Sequence, residues 1–146
     1  MPTWTFEHTI DTPASPAAAW AVLADIAAWP AWDHEVERAA LDGPLRVGAT
    51  GSLKPAGGPN TRFTVTAVQA PHRMTDVTKL PLAQMTFDHR YAPAPGGGAR
   101  LTHAVRIEGL LAPLFARVIG RKIVAGMPTA MAALAARAAA RDTVAA

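Results

Sequence analysis

The chain of 146 residues contains no cysteine, which excludes disulfide bonds, thiolate metal sites and cysteine nucleophiles. Half of its residues are apolar and 17% are charged, a composition typical of a globular protein whose length suits one hydrophobic core. The net charge is +3, but the basic residues are scattered and do not alternate with aromatic ones, so no nucleic-acid partner is expected.

The first third of the chain predicts one strand and two short helices. Apolar and polar residues alternate from Thr3 to Ile10, as in a half-buried strand. Ser15 is a typical N-cap for a helix over Pro16–Ala24. Pro16 supports the same start, because a proline suits the first helical turn. A second short helix is predicted over Ile26–Trp29 and is expected to end before Pro30.

The middle of the chain predicts a run of strands. Turn residues separate four short extended segments, which are Val36–Leu41, Thr50–Pro55, Arg62–Val68 and Arg73–Lys79. Two longer alternating segments, Met85–Tyr91 and Leu101–Glu108, flank a link rich in proline and glycine and predict a hairpin. Pairing symmetric about Gly96 sets four apolar-face partners opposite each other, namely Tyr91 with Leu101, His89 with His103, Phe87 with Val105 and Met85 with Ile107.

The C-terminal third predicts one long helix from Leu110 to about Arg141. Apolar residues recur there every three or four positions, at Phe115, Ile119, Ile123, Met127, Ala130, Met131 and Leu134. Pro128 interrupts the pattern and predicts a kink. We therefore expect an α+β fold in which a curved antiparallel sheet of about seven strands wraps around this helix.

Several segments together resemble a known superfamily. These are Asp11-Thr12-Pro13-Ala14-Ser15-Pro16 leading into Trp20, then Trp29-Pro30-Ala31-Trp32, Phe87-Asp88-His89 and Met127-Pro128. They resemble the SRPBCC superfamily, and more narrowly the bacterial polyketide cyclase/dehydrase-like proteins related to START and Bet v 1-like domains. The resemblance implies a single ligand-binding domain over residues 1–146, a helix-grip fold and a hydrophobic cavity between sheet and helix. Because this superfamily includes lipid carriers, receptors, allergens and aromatase/cyclases, it carries no catalytic residue over to this chain.

Three histidines, His8, His89 and His103, fall on the apolar faces of their strands. They have three interpretations: metal ligands, polar anchors in an apolar ligand cavity, or core histidines satisfied by each other, the backbone or water. We recognise no carboxylate on these faces that would support a metal, so neither a metal nor another cofactor is expected. The anchor interpretation is favoured, with His89 and His103 as a neutral pair joined directly or through one water.

Large apolar side chains complete the predicted site. Trp29 and Trp32 flank a proline and are candidates for a cavity entrance, whereas Trp20 is expected to pack in the core. The methionines are either an adaptable cavity lining or ordinary core fillers. The candidate ligand-binding residues are His8, Trp29, Trp32, Phe63, Met85, Phe87, His89, His103, Phe115, Ile119, Met127 and Met131.

The leading functional hypothesis is the binding of a hydrophobic small molecule such as a lipid, a polyketide or an aromatic metabolite. The alternative is an enzyme of the polyketide cyclase/aromatase type, with His89, His103 and Tyr91 as candidates for proton transfer. A third possibility is contact with a membrane or a partner through the basic face of the last helix, formed by Arg117, Arg121, Lys122, Arg137 and Arg141. The N-terminus lacks a signal-peptide pattern, and no run approaches about 20 uninterrupted apolar residues, so a cytoplasmic protein without a transmembrane segment is expected.

Overall fold

The structure is a computed structural model that describes residues 1–145. Its strands are β1 (Thr3–Thr12), β2 (Val36–Leu41), β3 (Thr50–Pro55), β4 (Thr61–Gln69), β5 (Arg73–Leu80), β6 (Ala83–Pro93) and β7 (Ala99–Glu108). Its helices are α1 (Pro16–Ala24), a 3₁₀ helix (Ile26–Ala31), α2 (Ala112–Phe115), a π-helical turn (Ala116–Gly120) and α3 (Arg121–Ala145). The last three follow one another without a break, and together they are called the C-terminal helix.

The strands form one antiparallel seven-stranded sheet in the order β1-β7-β6-β5-β4-β3-β2. Among the seven described strands, only β1 and β7 are paired while distant in sequence. The predicted hairpin register is confirmed, because His89 lies opposite His103 in β6 and β7. Along β7, buried Val105 and Ile107 flank exposed Arg106. The face of the sheet that carries these buried side chains is called the inner face.

The predicted cap of α1 is confirmed and is tied to the far end of the chain. The Ser15 hydroxyl accepts a hydrogen bond from the Ala18 backbone N–H at 3.1 Å. The Ser15 backbone N–H in turn donates to the Asp142 carboxylate at 2.7 Å. An anion at this position also suits the positive end of the helix dipole. These contacts fix α3 against the start of α1.

The prediction that Pro30 ends the second short helix is wrong. The 3₁₀ helix continues through Pro30 to Ala31. Proline has a backbone angle suited to a helical turn and lacks only one donor. The turn closes behind it, since the backbone N–H groups of Trp32 and Asp33 both donate to the Trp29 carbonyl, at 3.1 and 2.8 Å.

The C-terminal helix packs one stripe of side chains into the core and departs from the predicted pattern near its start. Met127, Met131 and Leu134 are buried there. The π-helical turn was not predicted, and its wider spacing moves nearby residues off the 3.6-residue period. Ile119, predicted as a core residue, is only half-buried and is not packed into the core cluster. The predicted kink at Pro128 stays a prediction, since α3 runs through this residue.

By length and composition alone, the segment Ala112–Thr143 could cross a membrane. The core helix of a soluble protein passes the same criterion, and the buried residues of α3 pack against the sheet and α1. The sequence expectation that the chain has no transmembrane segment stays a prediction.

Candidate ligand site

The three histidines singled out in the sequence lie in one row across the inner face. His8 in β1 pairs with His103 in β7, which pairs with His89 in β6. His89 in turn lies opposite Met74 in β5. The imidazole rings of His89 and His103 contact each other edge to face, with centroids 4.7 Å apart. The predicted neighbouring pair is therefore present.

The two paired histidines do not hydrogen-bond to each other directly, which corrects the direct form of the prediction. A link through one water stays a prediction. His89 Nδ1 lies 2.9 Å from the Met74 carbonyl oxygen, and a carbonyl only accepts, so Nδ1 carries the hydrogen and Nε2 is left as an acceptor. His103 Nε2 lies 2.8 Å from the Tyr91 hydroxyl. Backbone and phenol partners on neighbouring strands satisfy each ring better than the edge-to-face neighbour can.

Burial keeps His89, His103 and Tyr91 uncharged. It lowers the pKa of His89, and it lowers that of His103 well below its ordinary value, with the neighbouring histidines adding to the effect. Burial also raises the pKa of the Tyr91 hydroxyl well above 10. Tyr91 and His103 thus form a neutral hydrogen-bonded pair, and His89 Nε2 is left as an acceptor in the row.

Asp76 is a site residue that the sequence prediction missed. It lies on the inner face in β5, between Val65 of β4 and Phe87 of β6. It is 6% exposed, and its Oδ2 atom has no hydrogen-bond partner among residues 1–145. Burial raises the pKa of this carboxyl to about 7. Asp76 adds a carboxylate to the inner face from β5, a strand outside the predicted histidine row.

The alternation in β5 explains why Asp76 was missed. Met74 and Val77 point to opposite faces, so the strand alone does not indicate which face is buried. The pairing with β6 identifies the buried face. Because Met74 pairs with His89, Asp76 pairs with Phe87, and both pairs lie on the same face. Reading β5 against the register of the β6–β7 hairpin would have found it.

The tryptophans of the 3₁₀ region pack inside the protein. Trp29 and Trp32 are both buried, with ring centroids 6.1 Å apart, and Trp29 also lies 6.2 Å from the His89 ring. Trp29 Nε1 donates to the Leu23 carbonyl at 2.8 Å, whereas Trp32 Nε1 has no partner in the part of the chain that the structure describes. Trp20 packs against the core as predicted. Trp32 is thus the second buried polar group without a protein partner.

The remaining candidate residues fall into two sets. Phe63, Met127 and Met131 are buried in the core cluster. Four others are half-buried, namely Met85, Phe87, Phe115 and Ile119. Ligand contact by the predicted residues stays a prediction. Within residues 1–145, no group of three or more His, Asp or Glu side chains could hold a metal ion.

Two open grooves lie on the outer surface of the protein. One, of about 470 Å³, runs between Trp4 and the start of the C-terminal helix. The other, of about 370 Å³, lies between the β1–α1 turn and the β6–β7 link. No predicted ligand-binding residue lines either groove, so the cavity between sheet and helix stays a prediction.

The fold has clear relatives among solved structures. The Zhui aromatase/cyclase from Streptomyces sp. R1128 superposes with a TM-score of 0.75 at 16% identity, over 96% of each chain. The di-domain aromatase/cyclase StfQ of steffimycin biosynthesis gives 0.76 at 15% identity, but the 97% of this chain that aligns covers only 52% of that protein. Norcoclaurine synthase from Thalictrum flavum gives 0.69 at 16% identity, over 92% of this chain and 85% of that one.

These similarities establish the helix-grip architecture that Ara h 8.0201 also shares, with a TM-score of 0.70 at 11% identity over 95% of this chain and 99% of that one. No curated protein sequence matches the chain significantly. A family model described as polyketide cyclase / dehydrase and lipid transport matches residues 3–140, nearly the full length. The chain therefore belongs to the polyketide cyclase/dehydrase and lipid transport family.

Proposed function

We propose that this protein binds an oxygen-bearing hydrophobic small molecule, such as a hydroxylated aromatic compound, between the inner face and the C-terminal helix. The observation that carries the proposal is a pair of buried polar atoms without partners, Asp76 Oδ2 and Trp32 Nε1. Both belong to side chains less than one tenth exposed. The family and the aromatase/cyclase neighbours support ligand binding of this general kind.

The physical argument is the cost of leaving such atoms unsatisfied. A buried polar group without a hydrogen bond costs about 1–3 kcal/mol, and nearly all such groups in folded proteins have partners. Trp32 Nε1 can only donate, while the Asp76 carboxyl can accept and, when protonated, also donate. A ligand hydroxyl or carbonyl is the group that would satisfy them.

Partial exposure of central residues supports a space beside Asp76. Met85 and Phe87 lie in β6, between β5 and β7, yet both are half-buried. Both side chains lie on the inner face, so their partial exposure supports a space beside the sheet there. Phe87 is the cross-strand neighbour of Asp76, so an apolar ring lies next to the proposed polar anchor.

Equilibrium dialysis with two ligands of matched size tests the proposal. We expect the wild type to bind naphthol about fivefold more tightly than methylnaphthalene, in which a methyl group replaces the hydroxyl, because one hydrogen bond contributes about 1 kcal/mol. Asp76→Leu and Trp32→Phe should each reduce this ratio towards one. Phe87→Leu is the matched control and should weaken the binding of both ligands by the same factor. A wild-type ratio of one, or a ratio that both polar variants leave unchanged, would refute the proposed anchors.

A second candidate function, proton transfer of the cyclase type, is favoured by one specific observation. Asp76 has a pKa of about 7, close to the value at which a carboxyl both takes and returns protons at neutral pH. In this function the Asp76 carboxylate removes an acidic C–H proton from a bound β-diketone, leaving an enolate, and the carboxyl then returns the proton. Proton NMR in D₂O would test it: catalysed exchange of that C–H for deuterium, lost in Asp76→Asn, supports an enzyme, and exchange at the buffer rate supports carriage alone.

A further inference from the structure

The start of the C-terminal helix and the turn beside it expose a cluster of large apolar side chains. Their exposed fractions range from 42 to 66%, and the members are Leu82, Leu110, Leu114, Val118 and Val124. Three basic residues, Arg117, Arg121 and Lys122, are interspersed with them and are also exposed. These eight residues are called the apolar-basic face.

Backbone contacts hold Leu82 at this face. Leu82 lies in the β5–β6 turn with a φ of 53°, in the left-handed region that a branched side chain rarely adopts. Its carbonyl accepts a hydrogen bond from the Leu111 N–H at 3.1 Å. The turn is thereby fixed next to the start of the helix, with a large apolar side chain facing water.

Charge indicates the kind of partner. Between Gly109 and Arg141 the sequence contains no Asp or Glu. In the described part of the chain, none of the three basic residues of the face forms an ion pair. A second copy docked through the same face would bring like charges together, which is unfavourable. A negatively charged partner is favoured instead.

The composition of the face suits a membrane interface. Only 28% of the most apolar window of the helix is buried, although the opposite stripe packs into the core. Segments that lie in the plane of a membrane interface likewise combine large apolar side chains, which enter the headgroup boundary, with Lys and Arg that contact anionic lipids. Trp4, beside the groove lined by Arg117 and Arg121, is of the residue type enriched at such interfaces.

We propose that the apolar-basic face docks this protein on the surface of a bilayer containing anionic lipids, with the C-terminal helix parallel to the membrane plane. The apolar side chains enter the headgroup boundary, while Arg117, Arg121 and Lys122 contact lipid phosphates. This inference does not depend on which small molecule the inner site takes.

Co-sedimentation with vesicles tests the docking. We expect the wild type to bind vesicles of phosphatidylcholine with 30% phosphatidylglycerol at low salt, to bind pure phosphatidylcholine vesicles at least tenfold more weakly, and to be largely released by ~0.5 M NaCl. The triple variant Arg117→Glu/Arg121→Glu/Lys122→Glu should bind about 100-fold more weakly. Leu82→Ser/Leu114→Ser/Val118→Ser should also lose binding, because it lacks apolar side chains that enter the headgroup boundary.

The controls separate docking from loss of folding and from self-association. All six substituted positions are exposed, so both triple variants should keep the wild-type circular dichroism spectrum. Val47→Ser, an exposed apolar residue of the β2–β3 turn outside the face, should bind like the wild type. The proposal is overturned if the wild type does not bind anionic vesicles, if folded triple variants bind as well as it does, or if the face mediates a dimer that the serine variant dissociates.

Discussion

Leu134→Asp is expected to reduce the free energy of unfolding by about 4–5 kcal/mol, which is a large part of the total for a domain of this size. Leu134 is fully buried in α3, within the core cluster that also contains Met131. A carboxylate there would be buried without a cation, and the lost packing adds to the cost. Urea unfolding followed by circular dichroism measures the change.

Two matched variants show that burial causes this effect. Ala136→Asp places the same side chain at an exposed position two residues further along α3 and should cost less than about 1 kcal/mol, mainly through helix propensity. Ile119→Asp should be far milder than Leu134→Asp, because Ile119 is half-buried in the π-helical turn. If Ile119→Asp proves as damaging as Leu134→Asp, the assignment of the buried stripe is wrong.

The free energy of unfolding of Asp76→Asn, taken relative to that of the wild type, is expected to be about 3 kcal/mol higher at pH 8 than at pH 5. The Asp76 pKa is raised from 3.8 to about 7 by burial, so the folded state holds the proton more tightly than the unfolded state. Wild-type stability therefore falls as pH rises from about 4 to 7 and is level above that. Asparagine does not ionise, so the variant lacks this loss. Urea unfolding of both proteins at the two pH values gives the difference.

The histidines affect the wild type and the variant alike. The pKa values of His89 and His103 are lowered, so both proteins lose stability as pH falls below about 6.5, and this loss largely cancels in the comparison. Asp11→Asn is the control: its pKa is lowered through the hydrogen bond and ion pair with Arg100, so it titrates below this pH range. The Asp11 variant should differ from wild type by the same amount at pH 5 and pH 8. A pH-independent effect of Asp76→Asn would mean that Asp76 is not buried.

The sequence predicted the fold because its strands alternate cleanly and its turns carry glycine or proline. Val36–Leu41 and Thr50–Pro55 were predicted with the bounds that the structure has. The alternation around Phe87 and Val105 also determined the hairpin register. The π-helical turn was beyond prediction, since its residues Ala116–Gly120 are compatible with a regular helix and only tertiary packing distinguishes the two. Gly120 permits that packing, because its missing side chain leaves room for the Trp4 indole, 3.0 Å from where a Cβ would lie.

The candidate site was predicted only where the pattern within one hairpin sufficed. The facing of His89 and His103 follows from β6 and β7 alone, but their actual partners, the Met74 carbonyl and the Tyr91 hydroxyl, depend on a further strand and on side-chain geometry. Asp76 required the register of β5 against β6. The unpartnered Trp32 N–H depends on packing around the 3₁₀ helix, which no sequence period describes.

The position of naphthol in its complex tests the central claim most directly. Intermolecular NMR contacts can be measured between the naphthol ring and the protein at ligand saturation. The proposed site predicts contacts with Trp32, Phe87 and Met131, together with a shift of the Asp76 carboxyl carbon resonance. Contacts confined to Trp4 and Val124, in the outer groove, with the Asp76 resonance unchanged, would contradict it.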